Sequence, residues 1–335
     1  MVMKRQKHVS NRKRKISGAS IDIQVMHMES HIKGLVAAAF SPLNEDGSVN
    51  LDIVPDYAEY LKKNGVVGVF INGSSGEGFS FTTEERMKIA EAWMQAAPAT
   101  GLKILVHCSH HSSIDEQRMA AHAQAIGADG IGTMGPLYFK PRTVERLVEY
   151  CATTAAAAPN LPYYFYNIPR MSGISLPMLD FIKLASETIP TFAGIKHSDP
   201  GDFMGLAQIN DFDGGRYNIL HGQDETLLSA LVLGVKAAIG STYNFGAPIY
   251  TRIIEAFEQN DLETARRNQM LSISMVMALF NTGEFFSACK TTMKWLGIDL
   301  GPVRLPLKDI DENVAAILKE KLDAVGFFEV CAGEE

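Results

Sequence analysis

The sequence predicts an α/β fold, a (β/α)8 (TIM) barrel with a C-terminal helical extension. Three observations support this prediction. Eight short, nearly continuous apolar runs follow one another between residues 34 and 240. Each run is followed by a segment long enough for a helix, which is typical of parallel strands buried on both faces. Beyond residue 241 the helical pattern continues without further strands.

The elements follow in a regular order along the chain. The predicted strands are 34–40, 67–72, 103–107, 129–133, 161–166, 191–196, 217–221 and 236–240. The helix-length segments are 51–64, 83–97, 113–126, 143–156, 175–187, 202–210 and 224–233, and then 248–258, 261–281, 284–296 and 311–325. A doubly wound open sheet is the alternative fold. The last helices exceed what eight units need, so we predict a barrel over 31–258 and a helical extension over 259–335.

Residues 1–30 differ from the rest because basic side chains are concentrated there. Seven of the 31 lysines and arginines lie within the first fifteen positions. One interpretation is a nucleic-acid or targeting arm. The other interpretation is that these residues are a disordered basic extension, or that they result from translation that began upstream of Met26 or Met28. No apolar region of signal-peptide length follows, which favours the second interpretation.

Composition excludes several classes of function. The net charge of −7 argues against nucleic acid as the main partner, because a phosphate backbone calls for a basic face. No apolar stretch approaches the ~20 residues that a membrane-spanning helix needs. The four cysteines are far apart in the sequence, which fits a reducing compartment, so we expect a cytoplasmic protein.

A lysine and a tyrosine end two neighbouring predicted strands. Tyr166 ends the fifth strand and Lys196 the sixth, thirty residues apart, which is about one strand-helix-strand unit. The carboxyl ends of barrel strands carry the active site, so both side chains are expected at the same rim. A desolvated amine is nucleophilic near neutral pH, which suggests Schiff-base chemistry. Packing is the alternative role for Tyr166.

Other strand ends carry polar groups. Gly73 to Glu77 form a glycine-rich turn whose amides and two hydroxyls, Ser74 and Ser75, suit a small carboxylate, although a plain structural loop is the alternative. Asp224 and Glu225 follow the seventh strand. They could cap the next helix, bind the hydroxyls of a polyol, or both.

A histidine cluster ends the third strand. Its sequence, His107-Cys108-Ser109-His110-His111, invites a zinc interpretation. Consecutive residues of an extended chain point in opposite directions, however, so local packing and loop hydrogen bonds are favoured over a metal site.

Five segments together resemble one family. They are GSSGE at 73–77, YNIP at 166–169, GIKHSD at 194–199, GQDE at 222–225 and GSTYN at 240–244. In order and spacing they resemble the N-acetylneuraminate lyase and dihydrodipicolinate synthase superfamily of pyruvate-handling class I aldolases, over about residues 32 to 307. The resemblance implies a barrel with helical extension, a homotetramer, and an imine between Lys196 and pyruvate.

The resemblance also implies roles for further residues. Tyr138 lies where the family places another active-site tyrosine. The residues that correspond to substrate-binding positions are Ser74, Ser75, Ser198, Gly222, Asp224, Glu225 and Ser241. Within the superfamily the chain is most similar to the lyases, because the synthases carry an arginine where Met171 stands, and Arg170 comes one residue too early.

The implied activity is reversible cleavage of N-acetylneuraminate to pyruvate and N-acetylmannosamine. In it Lys196 forms the imine and Tyr166, steadied by Ser74, relays a proton; no metal or organic cofactor is expected. The alternatives are another aldolase or synthase of the superfamily, acting on a 2-keto-3-deoxy sugar acid or forming 4-hydroxy-tetrahydrodipicolinate, a catalytically silent metabolite-binding homologue, and a metal-dependent aldolase.

Overall fold

The computed structural model of the chain describes residues 31–332. The predicted basic extension, residues 1–30, lies outside the described residues. From Ile32 onward the described residues belong to one compact unit.

Eight parallel strands close into a barrel in the order in which they occur along the chain. Their bounds are β1 Gly34–Ala37, β2 Gly68–Ile71, β3 Lys103–His107, β4 Gly130–Thr133, β5 Tyr163–Asn167, β6 Phe192–His197, β7 Asn218–His221 and β8 Ala237–Gly240. β1 pairs with β2 on one side and with β8 on the other, which closes the ring. The predicted fold class is therefore confirmed, and the open sheet is excluded.

Helices surround this barrel. They are α1 Val54–Lys63, α2 Thr83–Thr100, α3 Ser113–Ala125, α4 Val144–Ala156, the single turn α5 Pro169–Ser172, α6 Met178–Thr188, α7 Phe203–Asp211, α8 Leu227–Val232 and α9 Tyr243–Glu258. Local sequence explains where several of them begin. The Thr82 hydroxyl accepts from the Glu85 N–H, and the Glu85 carboxylate accepts from the Thr82 N–H, a reciprocal cap at the start of α2.

Strand side chains alternate between two apolar clusters. Leu35, Ala37, Val69 and Ile71 belong to the large cluster that includes the helix residues. Their neighbours Val36 and Phe70 belong to a second, smaller cluster. The period of two along each strand produces this separation, and we assign the second cluster to the barrel interior. Tyr166 belongs to it and lies near the carboxyl end of β5.

The helical extension consists of α10 Leu262–Phe280, α11 Phe285–Trp295, α12 Glu312–Ala324 and α13 Phe327–Cys331. The predicted boundary after residue 258 falls at the end of α9. Within residues 31–332 no single helix is long and apolar enough to cross a membrane. The pair α10 and α11 passes such a test only jointly, by length and composition, and is bent by 116°.

Candidate active site

Lys196 and Tyr166 lie side by side at the carboxyl ends of adjacent strands. The register of β5 and β6 pairs the two residues directly. The Lys196 Nζ lies 4.0 Å from the centre of the Tyr166 ring and 4.5 Å from that of Phe70. The lysine is only 4% exposed. The amine is thus held between two aromatic rings in the mouth of the barrel.

No acidic side chain of the described residues forms an ion pair with this amine. Within residues 31–332 the lysines that form ion pairs are Lys103, Lys183, Lys290 and Lys294. A buried amine without a carboxylate partner is unusual, because burial of a charge is costly unless it is paired. The arrangement leaves Nζ available for attack on a carbonyl carbon.

A cavity of about 420 Å³ opens around Lys196. Every predicted site residue except Tyr138 lines it: Ser74, Ser75, Tyr166, Lys196, Ser198, Gly222, Asp224, Glu225 and Ser241. These residues come from the carboxyl ends of five strands and the loops after them. The barrel therefore brings the Lys196 amine, the Tyr166 phenol, several hydroxyls and two carboxylates together in one cavity.

Tyr138 is not brought to this cavity. It lies in the loop after β4, is 82% exposed, and packs edge-on against Phe139 with ring centres 4.9 Å apart. The loop directs both rings to the surface of this chain. A catalytic role for Tyr138 stays a prediction, and it requires either movement of the loop or a second copy of the chain.

The turn over residues 73–77 is folded as a compact nest. The Glu77 N–H donates to the Ser74 carbonyl at 3.1 Å, and the Gly78 N–H donates to the Gly73 carbonyl at 3.0 Å. Within residues 31–332 the N–H groups of Ser74 and Ser75 donate to no backbone acceptor. These unengaged amides beside the cavity suit a carboxylate.

The side chains of the two serines have different partners. The Ser75 hydroxyl lies 2.6 Å from that of Ser241, which links the turn to the end of β8. The expected hydrogen bond between Ser74 and Tyr166 is not formed in this structure. The Tyr166 ring packs edge-on against Phe70 and His107, whereas its hydroxyl has no hydrogen-bond partner within residues 31–332 and is left for substrate.

Gly222 and Ser198 fit together because the glycine has no side chain. The Gly222 N–H donates to the His197 carbonyl at 2.7 Å, and a Cβ at Gly222 would clash with the Ser198 hydroxyl. That hydroxyl is buried and has no hydrogen-bond partner in the part of the chain that the structure describes. An unsatisfied hydroxyl at a cavity wall is a good contact for a polar substrate.

Asp224 is held by Thr242, the residue directly before α9, rather than by the helix that follows Asp224 in the sequence. Its Oδ2 accepts from the Thr242 N–H at 2.8 Å and from the Thr242 hydroxyl at 2.6 Å. Gly240 leaves room for the carboxylate, because a Cβ there would clash with it. Neither carboxylate makes a side-chain capping hydrogen bond to α8, although both residues lie in the 3-10 turn Asp224–Thr226 directly before it. The free Oδ1 is positioned to accept from a ligand hydroxyl.

Burial raises the pKa of Asp224 to about 6, against the opposing effect of its bonds to Thr242. Acceptance from a sugar hydroxyl is stronger in the ionised form. We therefore expect the KM for a hydroxylated substrate to rise as the pH falls through about 6. In Asp224→Asn this acid limb should vanish, because an amide does not titrate in that range.

The measurement is KM against pH for both proteins. Pyruvate is the internal control. It has no hydroxyl chain for Asp224 to bind, so the KM for pyruvate should not rise in the same pH range. An acid limb near pH 6 that persists in Asp224→Asn would exclude Asp224 as the titrating group.

The histidines at the end of β3 and in the loop after it make separate packing contacts, apart from the neighbouring rings of His110 and His111. His107 is buried, with Nδ1 3.0 Å from the Asn72 carbonyl and its ring edge-on to Tyr166. Burial lowers the pKa of His107 to about 3. His111 instead packs at a tilt against the exposed Phe79, with ring centres 5.5 Å apart. In residues 31–332 no group of three or more potential ligands from His, Cys, Asp and Glu is placed to hold a metal ion.

A family model connects this geometry to known proteins. The model of the dihydrodipicolinate synthetase family matches residues 31–325. The chain belongs to that family. The superfamily resemblance predicted from the motifs is therefore confirmed.

Within the dihydrodipicolinate synthetase family, the chain is similar to several lyases. The N-acetylneuraminate lyase of Gallus gallus is 37% identical over 297 residues, covering 88% of this chain and 96% of the relative. The N-acetylneuraminate lyase structure from Proteus mirabilis has a TM-score of 0.85 at 35% identity, covering 89% of this chain and 99% of that one. A catalytic lysine mutant of the Ruminococcus gnavus sialic acid aldolase has a TM-score of 0.83 at 27% identity, covering 89% and 96%.

The sequence of this family member did not predict one wall of the cavity. Residues of the helical extension form that wall: Val276, Phe280, Phe285 and Phe286. In sequence they belong to ordinary helical periodicity, which carries no sign of a site. Arg170 and Met171, the two positions that distinguish the chain from the synthases, both line the cavity as well.

Proposed function

We propose that this chain is a class I aldolase that reversibly cleaves N-acetylneuraminate to pyruvate and N-acetylmannosamine. The observation that carries the proposal is the unpaired, buried Lys196 amine beside the phenol of Tyr166 in a polar cavity. The similarity to N-acetylneuraminate lyases supports the choice of substrate.

The first step is formation of an imine. The neutral Lys196 amine adds to the keto carbon of the open-chain sugar acid, and loss of water gives an iminium. The amides of the turn at Ser74 and Ser75 would hold the adjacent carboxylate, so that the keto carbon meets Nζ.

The second step is cleavage of the carbon–carbon bond. Tyr166 relays the proton of the hydroxyl on the far side of the breaking bond: the phenol oxygen takes that proton while the phenol's own proton passes to the substrate carboxylate. The electron pair of that bond passes into the iminium, which becomes an enamine, and N-acetylmannosamine leaves as the aldehyde. Protonation of the enamine carbon and addition of water then release pyruvate and regenerate Lys196. The imine supplies the activation that a metal would otherwise provide.

The rest of the cavity would bind the sugar chain. Asp224 and Glu225 offer carboxylate oxygens, and Ser198 and Ser241 offer hydroxyls. Gly222 brings main-chain groups close to the same space. A polyhydroxylated substrate could thereby replace its lost water contacts with acceptors and donors from three strand ends.

The test combines product analysis with trapping. Incubation with N-acetylneuraminate should release pyruvate and N-acetylmannosamine in equal amounts, with full activity in a strong chelator. Borohydride added with pyruvate should inactivate the protein and leave a reduced adduct that mass spectrometry locates at Lys196. Tight sialic acid binding without cleavage would instead identify a silent binding homologue, and loss of activity in chelator a metal-dependent aldolase.

Arg170 is the observation that favours a second candidate. Its exposed side chain lines the same cavity and offers a cation, whereas N-acetylmannosamine carries no charge. An aldolase or synthase whose aldehyde bears an acid group would use it. Trapping at Lys196 together with condensation of pyruvate with such an aldehyde, and not with N-acetylmannosamine, would favour this candidate.

The proposed function includes a homotetrameric assembly and a cytoplasmic location. The family resemblance supports the assembly, and the separated, buried cysteines support a reducing compartment. Light scattering of the purified protein gives the assembly state, and imaging of a tagged full-length chain gives the location.

A further inference from the structure

Glu77 ends the GSSGE motif, yet no step of the proposed reaction uses it. Its side chain is fully buried, and its backbone has a positive φ of 52°. The Glu77 N–H closes the turn onto the Ser74 carbonyl. Any group that holds this carboxylate therefore also holds the turn that carries Ser74 and Ser75.

Both carboxylate oxygens of Glu77 contact the C-terminal extension, Oε1 through an ion pair and Oε2 through a hydrogen bond. The Lys290 Nζ, on α11, lies 2.9 Å from Oε1, and this lysine side chain is only 3% exposed. The same Nζ donates to the Pro302 carbonyl at 2.6 Å. The main-chain N–H of Arg304 donates to Oε2 at 2.7 Å.

The Arg304 side chain attaches the same segment to the far side of the turn. Its guanidinium forms a two-pronged pair with the Glu85 carboxylate at 2.6 and 2.9 Å. It also donates to the Ser80 carbonyl at 3.0 Å and lies 4.2 Å from the centre of the Phe81 ring. The extension therefore binds the chain on both sides of Gly78, at Glu77 before it and at Ser80 and Glu85 after it.

We propose that Lys290 and Arg304 are positioning residues for binding of the pyruvate carboxylate, acting through Glu77. This inference rests on the proposed function, since it takes the amides at Ser74 and Ser75 as the carboxylate site. A buried ion pair contributes little net stability. Here the two oxygens of the Glu77 carboxylate have separate partners on the extension, which fixes the position of that carboxylate. The extension therefore sets where the carboxylate-binding amides point, without touching the substrate.

The test compares two lysine variants on the same helix. Lys290→Met removes the buried pair, and Lys294→Met removes an exposed pair with Asp299 at 2.7 Å. A displaced turn should raise the pyruvate concentration needed for half-maximal borohydride trapping about tenfold or more in Lys290→Met, with the maximal trapping rate changed little. In the synthesis direction the KM for N-acetylmannosamine should stay within about threefold. Lys294→Met should match the unmodified protein in both.

A second readout does not depend on catalysis. Hydrogen exchange at the amides of residues 73–78 should speed up in Lys290→Met and not in Lys294→Met. Equal exchange together with an unchanged pyruvate dependence would overturn the positioning role. So would a fall in kcat alone, or a parallel rise in both KM values.

A third variant covers the risk that Lys290→Met fails to fold. Glu77→Gln keeps the shape of the side chain and the hydrogen bond from the Arg304 N–H, but it removes the negative charge. Burial already lowers the pKa of Lys290, so the Lys290 amine can lose its proton in this variant. The same pyruvate-specific change is expected there, and its absence counts against the inference. If the unmodified protein forms no adduct at all, the proposed function fails. Hydrogen exchange in Lys290→Met and Lys294→Met still tests whether the extension holds the turn in place.

Discussion

Replacement of Lys196 should abolish the reaction. We expect Lys196→Ala and Lys196→Met to lose at least about 10⁴-fold in kcat and to form no borohydride-trapped adduct, because Lys196 is the one lysine among the described residues that line the cavity. Methionine keeps an apolar stem against Phe70 and Tyr166, so Lys196→Met separates loss of the amine from loss of packing. Mass spectrometry of the trapped protein and steady-state kinetics are the measurements.

The control for this prediction lies at the opposite rim of the barrel. Lys103 begins β3 and forms an exposed pair with Asp129 at 2.8 Å, so Lys103→Ala should trap pyruvate normally. Circular dichroism should show the folded barrel in all three variants. Turnover that survives in folded Lys196→Met, or an adduct found on another residue, would contradict the assignment.

Loss of the Tyr166 hydroxyl should slow proton transfer much more than binding. We expect Tyr166→Phe to lower kcat by roughly 10²–10⁴-fold, since only the group that receives the substrate proton is removed. Imine formation with pyruvate and the KM should change far less, because the ring still packs against the amine. Kinetics and trapping of the same preparation distinguish the two steps.

Tyr164 provides the matched control on the same strand. It is buried in the same interior cluster, and its hydroxyl donates to Asn218 Oδ1 at 3.3 Å rather than facing the cavity. Tyr164→Phe should therefore keep nearly full kcat. If Tyr166→Phe turned over as fast as Tyr164→Phe, the proton relay would have to be assigned elsewhere.

The barrel and its reactive pair could be predicted because their signals are local. Each strand is a short apolar run, and all eight predicted runs overlap a strand. Boundaries were less accurate where buried loops are also apolar: residues 38–40 continue the first run but follow the end of β1 at Ala37. The segment 224–233 begins as a 3-10 turn over Asp224–Thr226 before α8.

The sequence alone determined that an amine and a phenol meet at one rim, because parallel strands one unit apart bring their carboxyl ends together. Only the tertiary structure decided which distant groups complete the site. Tyr138 lies at the surface, and Asp224 accepts hydrogen bonds from Thr242 at the start of α9, not from the helix that follows it in sequence. The C-terminal extension contacts Glu77 and forms one wall of the cavity. Contacts between segments far apart in the chain depend on packing in three dimensions, and packing leaves no periodic pattern in the sequence.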